Sequence, residues 1–275
     1  MRLTIQGQEA YCYTGGKAFD AALPSVIFVH GAQNDHSVWG LQTRYFTHHG
    51  YGVLAVDLPG HGRSSGAPLT SVEAMADWLL ELMDGAGIEK ATLVGHSMGS
   101  LISLEAASRA PQRVSALALV GTAYPMKVSD ALLEASKNDV EAAIDMVDIW
   151  SHSSMAQKPS FPGPGSYVMG VSQRLMQHIA RRNPAPVFHL DFAACNAYAN
   201  GEAAAATVRC PTLFLLGKND MMTPPRAAAS LIKTIPHAQV VQLERCGHDL
   251  MAEQPDAVLD HLYAFAKSSL QADNG

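Results

Sequence analysis

The chain has 275 residues, enough to bury a sizeable core in one large domain with room for an inserted subdomain. Hydrophobic residues make up 48% and charged residues 16%, a globular balance that excludes a disordered chain. The formal net charge of −6 argues against a nucleic-acid partner, which would call for a basic face.

Met1-Arg2-Leu3-Thr4-Ile5-Gln6-Gly7 contains no signal-peptide core, and no apolar run reaches membrane-spanning length. The expectation is a cytoplasmic protein with no membrane partner. Cys12, Cys195, Cys210 and Cys246 are scattered without a C-x-x-C pair, which reads as reduced thiols rather than a disulfide framework.

Leu3 to Tyr13 alternates around Gln6-Gly7-Gln8 and predicts an antiparallel hairpin. A strand–helix rhythm follows. Ser25 to Val29 is an unbroken apolar strand, Ser37 to His49 a helix, and Gly52 to Val56 the next strand. Ser71 to about Gly85 predicts a helix with Ser71 as its N-cap. Ala91 to Val94, a helix over Ser100 to Ala107, and the strand Val114 to Val120 continue the rhythm. Continuous apolar strands separated by helices imply an α/β fold, a mostly parallel sheet of about eight strands with helices on both faces.

The rhythm breaks after Gly121. Helical patterns run over Ser129 to Ser136, Asp139 to Trp150, Val171 to Arg182 and Pro186 to Asn200, around a Gly/Pro-rich loop at Lys158 to Gly165. Strand patterns resume at Pro211 to Leu216 and Gln239 to Leu243, before a last helix from Pro255 to about Lys267. The domain reading is a core of residues 1–123 and 207–275 with a helical lid inserted over 124–206.

Gly95-His96-Ser97-Met98-Gly99 stands between a buried strand and an amphipathic helix. A serine on so tight a strand-to-helix turn needs small flanking residues, projects from the sheet end, and has helix-opening amides aimed at whatever it attacks. The competing reading of Ser97 is a helix cap.

Four further segments accompany this one: His30-Gly31-Ala32 after a strand; Asp57-Leu58-Pro59-Gly60-His61-Gly62-Arg63-Ser64; Leu216-Gly217-Lys218-Asn219-Asp220 with Thr223-Pro224; and Cys246-Gly247-His248. In these motifs, and in their order, the chain resembles the α/β-hydrolase superfamily over nearly its whole length. The resemblance implies a catalytic triad of Ser97, Asp220 and His248. A serine hydroxyl needs a base, histidine titrates near neutrality, and a carboxylate holds the imidazole tautomer. It also implies an oxyanion hole made of the backbone amides of Ala32 and Met98. Asp220 has a rival role as a helix cap, and Asp57 reads as a turn former.

His30, His96 and Trp150 are the candidate pocket residues. Met126, Met146, Met155, Met169 and Met176 of the lid either shape an adaptable apolar pocket or simply pack the lid onto the core. Arg174, Arg181 and Arg182 have the spacing of a solvated helix face. No metal-ligand set, phosphate loop or dinucleotide fingerprint is present, so neither metal nor cofactor is expected.

The expected activity is a serine hydrolase acting on an ester, thioester or lactone with an apolar part, through an acyl-enzyme on Ser97. The same triad in related sequences also serves carbon–carbon bond hydrolysis or cofactor-free perhydrolysis. A ligand-binding protein on a hydrolase scaffold is the third reading.

Overall fold

The computed structural model describes residues 1–154, 167–183 and 185–273. β1 (Arg2–Ile5) and β2 (Gln8–Tyr13) form the antiparallel hairpin, its turn made by Gln6 and Gly7, both at positive φ. β3 (Ser25–Val29) follows, buried at every position. A short 3₁₀ turn over His36–Trp39 leads into α1 (Gly40–His48), then β4 (Gly52–Val56). α2 (Val72–Gly85) is capped by Ser71, whose hydroxyl accepts from the Ala74 amide as its sequence position implies. β5 (Ala91–His96), α3 (Met98–Arg109) and β6 (Val114–Val120) complete the first half.

Between β6 and β7 come α4 (Asp130–Asn138), α5 (Val140–Ser151), α6 (Val168–Arg182), α7 (Val187–Ala197) and α8 (Gly201–Thr207). The chain closes with β7 (Thr212–Gly217), α9 (Ala229–Thr234), β8 (Gln239–Leu243), α10 (Leu250–Glu253) and α11 (Pro255–Asp273). No helix among the described residues is long and apolar enough to cross a membrane.

The eight strands lie in the order β1-β2-β4-β3-β5-β6-β7-β8. The β1–β2 and β2–β4 pairs are antiparallel, and every pair from β4 through β8 is parallel. Two apolar layers cover the sheet. One packs α2, α3, α8 and α9 against Ile27, Leu93, Leu117 and Phe214. The other packs α1 and α11 against Phe28, Val94, Ala118 and Leu215. Alternation along each strand sends neighbouring side chains to opposite layers, which is why these strands read as unbroken apolar runs. A third cluster, built on Leu132, Ile144, Met176, Phe188 and Phe192, holds α4 to α7 together.

From β3 the chain proceeds to β4 on one side, whereas β5 and its successors lie on the other. This reversal opens a crevice beyond the carboxyl ends of β3 and β5. Residues 30–32 and 97 therefore meet there.

Several boundaries differ from the sequence reading, and three helices in the second half show it. The helix expected from Val171 begins at Val168. The helix expected over Pro186 to Asn200 ends at Ala197, because the chain extends to seat Tyr198 and Asn200 on Glu105 of α3, at 2.7 and 2.9 Å, before α8 begins. Tertiary hydrogen bonding overrides helix propensity there. The last helix continues to Asp273. The Lys158 to Gly165 loop and Met155 lie outside the described residues.

Candidate active site

Ser97 joins β5 to α3 with φ 52° and ψ −118°. A non-glycine residue there stores about 1–3 kcal/mol of strain, and its surroundings must over-determine it. They do. The Ser97 amide donates to Val120 O at 2.9 Å, and its carbonyl accepts from the Ser100 amide at 2.8 Å and the Ser100 hydroxyl at 2.5 Å. The flanking glycines are dictated by contact rather than by φ. A Cβ on Gly95 would overlap the Gly99 carbonyl, and one on Gly99 would press into the carbonyls of Val29 and His30.

These overlaps fix an expected result. Gly95→Ala should destabilise the fold by about 3 kcal/mol or more, since the added Cβ is fixed to its backbone and meets the Gly99 carbonyl, which cannot swing aside. Gly7→Ala, at φ +74° with nothing within 4 Å, should lose only about 1 kcal/mol. Urea unfolding of the two variants measures the difference; equal losses would contradict the packing argument.

Asp220 follows β7 and His248 follows β8, so both reach the same sheet edge as Ser97. His248 Nδ1 stands 2.8 Å from Asp220 Oδ2. The other oxygen, Oδ1, accepts from the Thr223 amide at 2.7 Å. Asp220 thus braces the turn at Thr223 with one oxygen and meets His248 with the other; the helical turn that starts at Pro225 has Pro224 as its N-cap and no side-chain cap, so Asp220 does not serve as a helix cap. Burial pushes its carboxyl pKa up, but the positive field of His248 and hydrogen bonds from His248 and Thr223 outweigh that and hold it below the usual carboxylate value.

Thr223 is a participant that the sequence motif did not reveal. Its Oγ1 lies 2.7 Å from Asp220 Oδ2, 3.0 Å from His248 Nδ1 and 3.0 Å from Gly121 O.

His96 is buried, and its Nε2 donates to the carbonyl oxygen of His248 at 2.8 Å. Burial and the adjacent His248 pull its pKa down to about 4, so it braces the histidine loop as a neutral ring. His30 does not face the cavity as a pocket residue would: it is fully buried behind Gly31. The Leu58 amide donates to its Nε2 at 3.2 Å, so the ring proton sits on Nδ1, which donates to Gly31 O at 2.8 Å. Burial and the charge of His61 depress its pKa to about 4. Gly31 O belongs to the same peptide plane as the Ala32 N–H, so His30 orients that amide. Met98 opens α3 directly after Ser97.

Two chambers meet at Ser97, His248 and Ala32. The larger, about 530 Å³, runs between α6 and α1 past His96, Val168, Leu175 and Met176. The smaller, about 160 Å³, is walled by Met126, Leu132, Trp150, Phe192, Cys195 and Met222. Trp150, Met126 and Met176 are therefore wall residues, whereas Arg174, Arg181 and Arg182 are exposed. Burial lifts the Cys195 thiol well above its ordinary pKa, which leaves it unreactive.

Asp35, His36 and Asp57 form a His/Asp cluster of metal-binding dimensions among the described residues. The Asp57 carboxylate is already engaged by the amides of His36 and Arg63 and by His36 Nδ1. The cluster reads as a braced loop.

The end of α5 is tied to the histidine loop. Ser151 O accepts from the amides of His248 (2.7 Å) and Asp249 (3.0 Å). Glu253 accepts from the amides of Gly247 and Ser153. His152 is buried between Asp148 and Asp249, with Nδ1 2.7 Å from Asp148 O and Nε2 at an ion-pair distance of 3.4 Å from Asp249. Burial lowers its pKa, but hydrogen bonding and charge from Asp249, followed by Asp148, outweigh this and raise it to about 9.

A raised histidine pKa contributes stability that is complete below about pH 6.5 and lost as pH climbs toward 9. Calorimetry from pH 6.5 to 9.5 should show the wild type losing on the order of 1–3 kcal/mol more than His152→Gln. Parallel curves would remove His152 as a charged tie.

A family model described as alpha/beta hydrolase fold matches residues 24–255. The dihydrolipoyllysine-residue acetyltransferase component of the acetoin cleaving system of Pseudomonas putida is 27% identical over 258 residues, covering 88% of this chain. The chain spans only 63% of that protein's length. A pimeloyl-[acyl-carrier protein] methyl ester esterase from Chromobacterium violaceum is 26% identical, covering 87% of this chain and 94% of that protein. Among solved structures, a thermophilic esterase superposes with a TM-score of 0.80 at 25% identity, covering 98% of this chain and 97% of the other.

Proposed function

The chain belongs to the α/β-hydrolase fold family, and from that premise we propose that it is a serine hydrolase of carboxylic esters, thioesters or lactones. The observation that carries the reading is the buried 2.8 Å Asp220–His248 pair at the junction of two chambers, beside a serine held in a strained turn. A relay of this kind, with a serine beside it, is suited to taking a proton from that hydroxyl.

Ser97 Oγ attacks the carbonyl carbon while His248 Nε2 takes the hydroxyl proton. Asp220 keeps the other ring proton on Nδ1 and stabilises the imidazolium. The amides of Met98 and Ala32 receive the oxyanion, and His248 returns the proton to the departing alcohol or thiol. Water, activated by the same histidine, then releases the acid from the acyl-enzyme.

The lid of this reading is the segment 124–206. Its α6 lines the larger chamber, Met126, Leu132 and Trp150 line the smaller one, and Phe192 lines both. The walls are largely apolar, which favours a small-molecule substrate with an apolar portion in the larger space.

A p-nitrophenyl ester series of increasing acyl length tests this. Nitrophenol release should rise with chain length and then fall once the acyl group outgrows its chamber. Release at the buffer rate for every ester, together with no labelling by a fluorophosphonate, would overturn the proposal.

A further inference from the structure

We infer that Asp191, on α7, is a positioning residue for the oxyanion amide of Ala32, tying the inserted helices to the loop that receives the developing charge. The inference rests on the serine-hydrolase reading above and adds a residue that the triad motifs do not contain.

Asp191 is completely buried. One carboxylate oxygen, Oδ2, accepts two hydrogen bonds, each 2.9 Å long: from the backbone amide of Gln33 and from His61 Nε2. Its other oxygen has no hydrogen-bond partner among the described residues. A carboxylate is a costly group to bury, and apolar residues would fill the same place with less desolvation, so packing alone does not account for it. The third apolar cluster already holds α7 to its neighbours.

The charge is balanced by His61. Its Nδ1 faces the Pro59 carbonyl at 3.1 Å and its Nε2 faces Asp191, so both ring nitrogens meet acceptors and both donate. Burial opposes that second proton, but the Asp191 charge and hydrogen bond outweigh it and shift the His61 pKa upward. The result is a buried imidazolium–carboxylate pair linking α7 to the loop after β4.

The pair's second bond does the positioning. Gln33 holds φ +55°, a left-handed conformation that a non-glycine residue keeps only when its neighbours enforce it. Asp191 fixes its amide, and the Gln33 side-chain amide donates to Met176 O of α6 at 3.0 Å. On the other side of Ala32, His30 fixes the Gly31 carbonyl. Ala32 therefore joins two clamped peptide units: the one that carries its own N–H is held from the core by His30, and the next is held from α7 by Asp191. Releasing the Gln33 clamp frees the loop to rotate the amide away from the oxyanion, an interaction made only in the transition state.

The test compares wild type, Asp191→Asn and Asp191→Ala on one p-nitrophenyl ester, with rates expressed per fluorophosphonate-labelled serine. Asparagine still offers an oxygen to Gln33 but loses the charge that holds His61. A mispositioned oxyanion donor should lower kcat by about 3–10-fold in Asp191→Asn and about 10–100-fold in Asp191→Ala, with KM within about 2-fold in both. A purely structural role would instead reduce Tm and the labelled fraction while leaving kcat per labelled serine unchanged.

That outcome in either soluble variant overturns the inference, as does a loss confined to KM. If Asp191→Ala fails to fold, Asp191→Asn alone decides by the same criterion. A wild type that hydrolyses no ester would sink the serine-hydrolase reading itself and this inference with it, a result distinct from an active wild type matched by its variants.

Discussion

Ser97→Ala is expected to lower kcat for ester hydrolysis by roughly 10⁴–10⁶-fold, with KM changed little. The alanine leaves His248 and Asp220 in place with nothing to deprotonate. What remains is the contribution of the oxyanion amides and of binding to direct attack by water. The fold should not suffer. The clamps on position 97 are bonds to its own backbone, from the Ser97 amide to Val120 O and from Ser100 to the Ser97 carbonyl, and alanine keeps all of them.

Tm should therefore stay within about 2 °C of wild type. Ser97→Gly is the informative companion. It also abolishes turnover but relieves a backbone at φ 52°, so it should be more stable than Ser97→Ala by about 1 kcal/mol once the greater freedom of unfolded glycine is subtracted. Steady-state kinetics, mass spectrometry of the fluorophosphonate adduct and thermal melts measure all three. A kcat within tenfold of wild type in Ser97→Ala would remove the acyl-enzyme from the mechanism.

The sheet and the elements bearing the proposed triad were readable in the sequence because they rest on local rules. Unbroken apolar runs mark strands covered on both faces. Glycine at 95 and 99 marks a turn whose neighbours leave no room for a Cβ. Asp220 and His248 each follow a strand, and parallel connectivity delivers both to one edge.

What escaped the sequence depends on contacts between distant segments. Nothing near Asp191 announces that it meets a backbone amide 158 residues away. His30 and His96 lie close to the crevice in the chain, but only packing turns His30 behind Gly31 and leaves His96 in the cavity wall. The break after Ala197 answers to Glu105 on another helix. Thr223 was visible as part of a motif, yet its hydroxyl's place between Asp220, His248 and Gly121 requires the fold.

Asp220→Asn is expected to lower kcat by about 10⁴-fold, and the local hydrogen bonds show why an isostere should be so damaging. Asp220 Oδ1 faces the Thr223 amide at 2.7 Å, a donor with no freedom to turn. An asparagine must place its carbonyl oxygen there, because its NH₂ would meet another N–H. The NH₂ is then turned toward His248 Nδ1, 2.8 Å from the wild-type Oδ2.

A donor at that position forces Nδ1 to accept and moves the ring proton to Nε2. The nitrogen that should take the Ser97 proton is then already protonated. Binding does not depend on that proton, so KM should hold while kcat falls, and slow labelling by a fluorophosphonate should track the same loss. Stability follows a separate rule. The Asp220 pKa is held below the ordinary carboxylate value, so its pairing contributes above about pH 4 and is lost as pH falls through the lowered pKa. The wild type should therefore melt higher than Asp220→Asn at pH 7, and the gap should close in acid. An Asp220→Asn enzyme with nearly full kcat at pH 7 would mean that His248 reaches its working tautomer without this carboxylate, and the Asp220–His248 pair would no longer carry the mechanism.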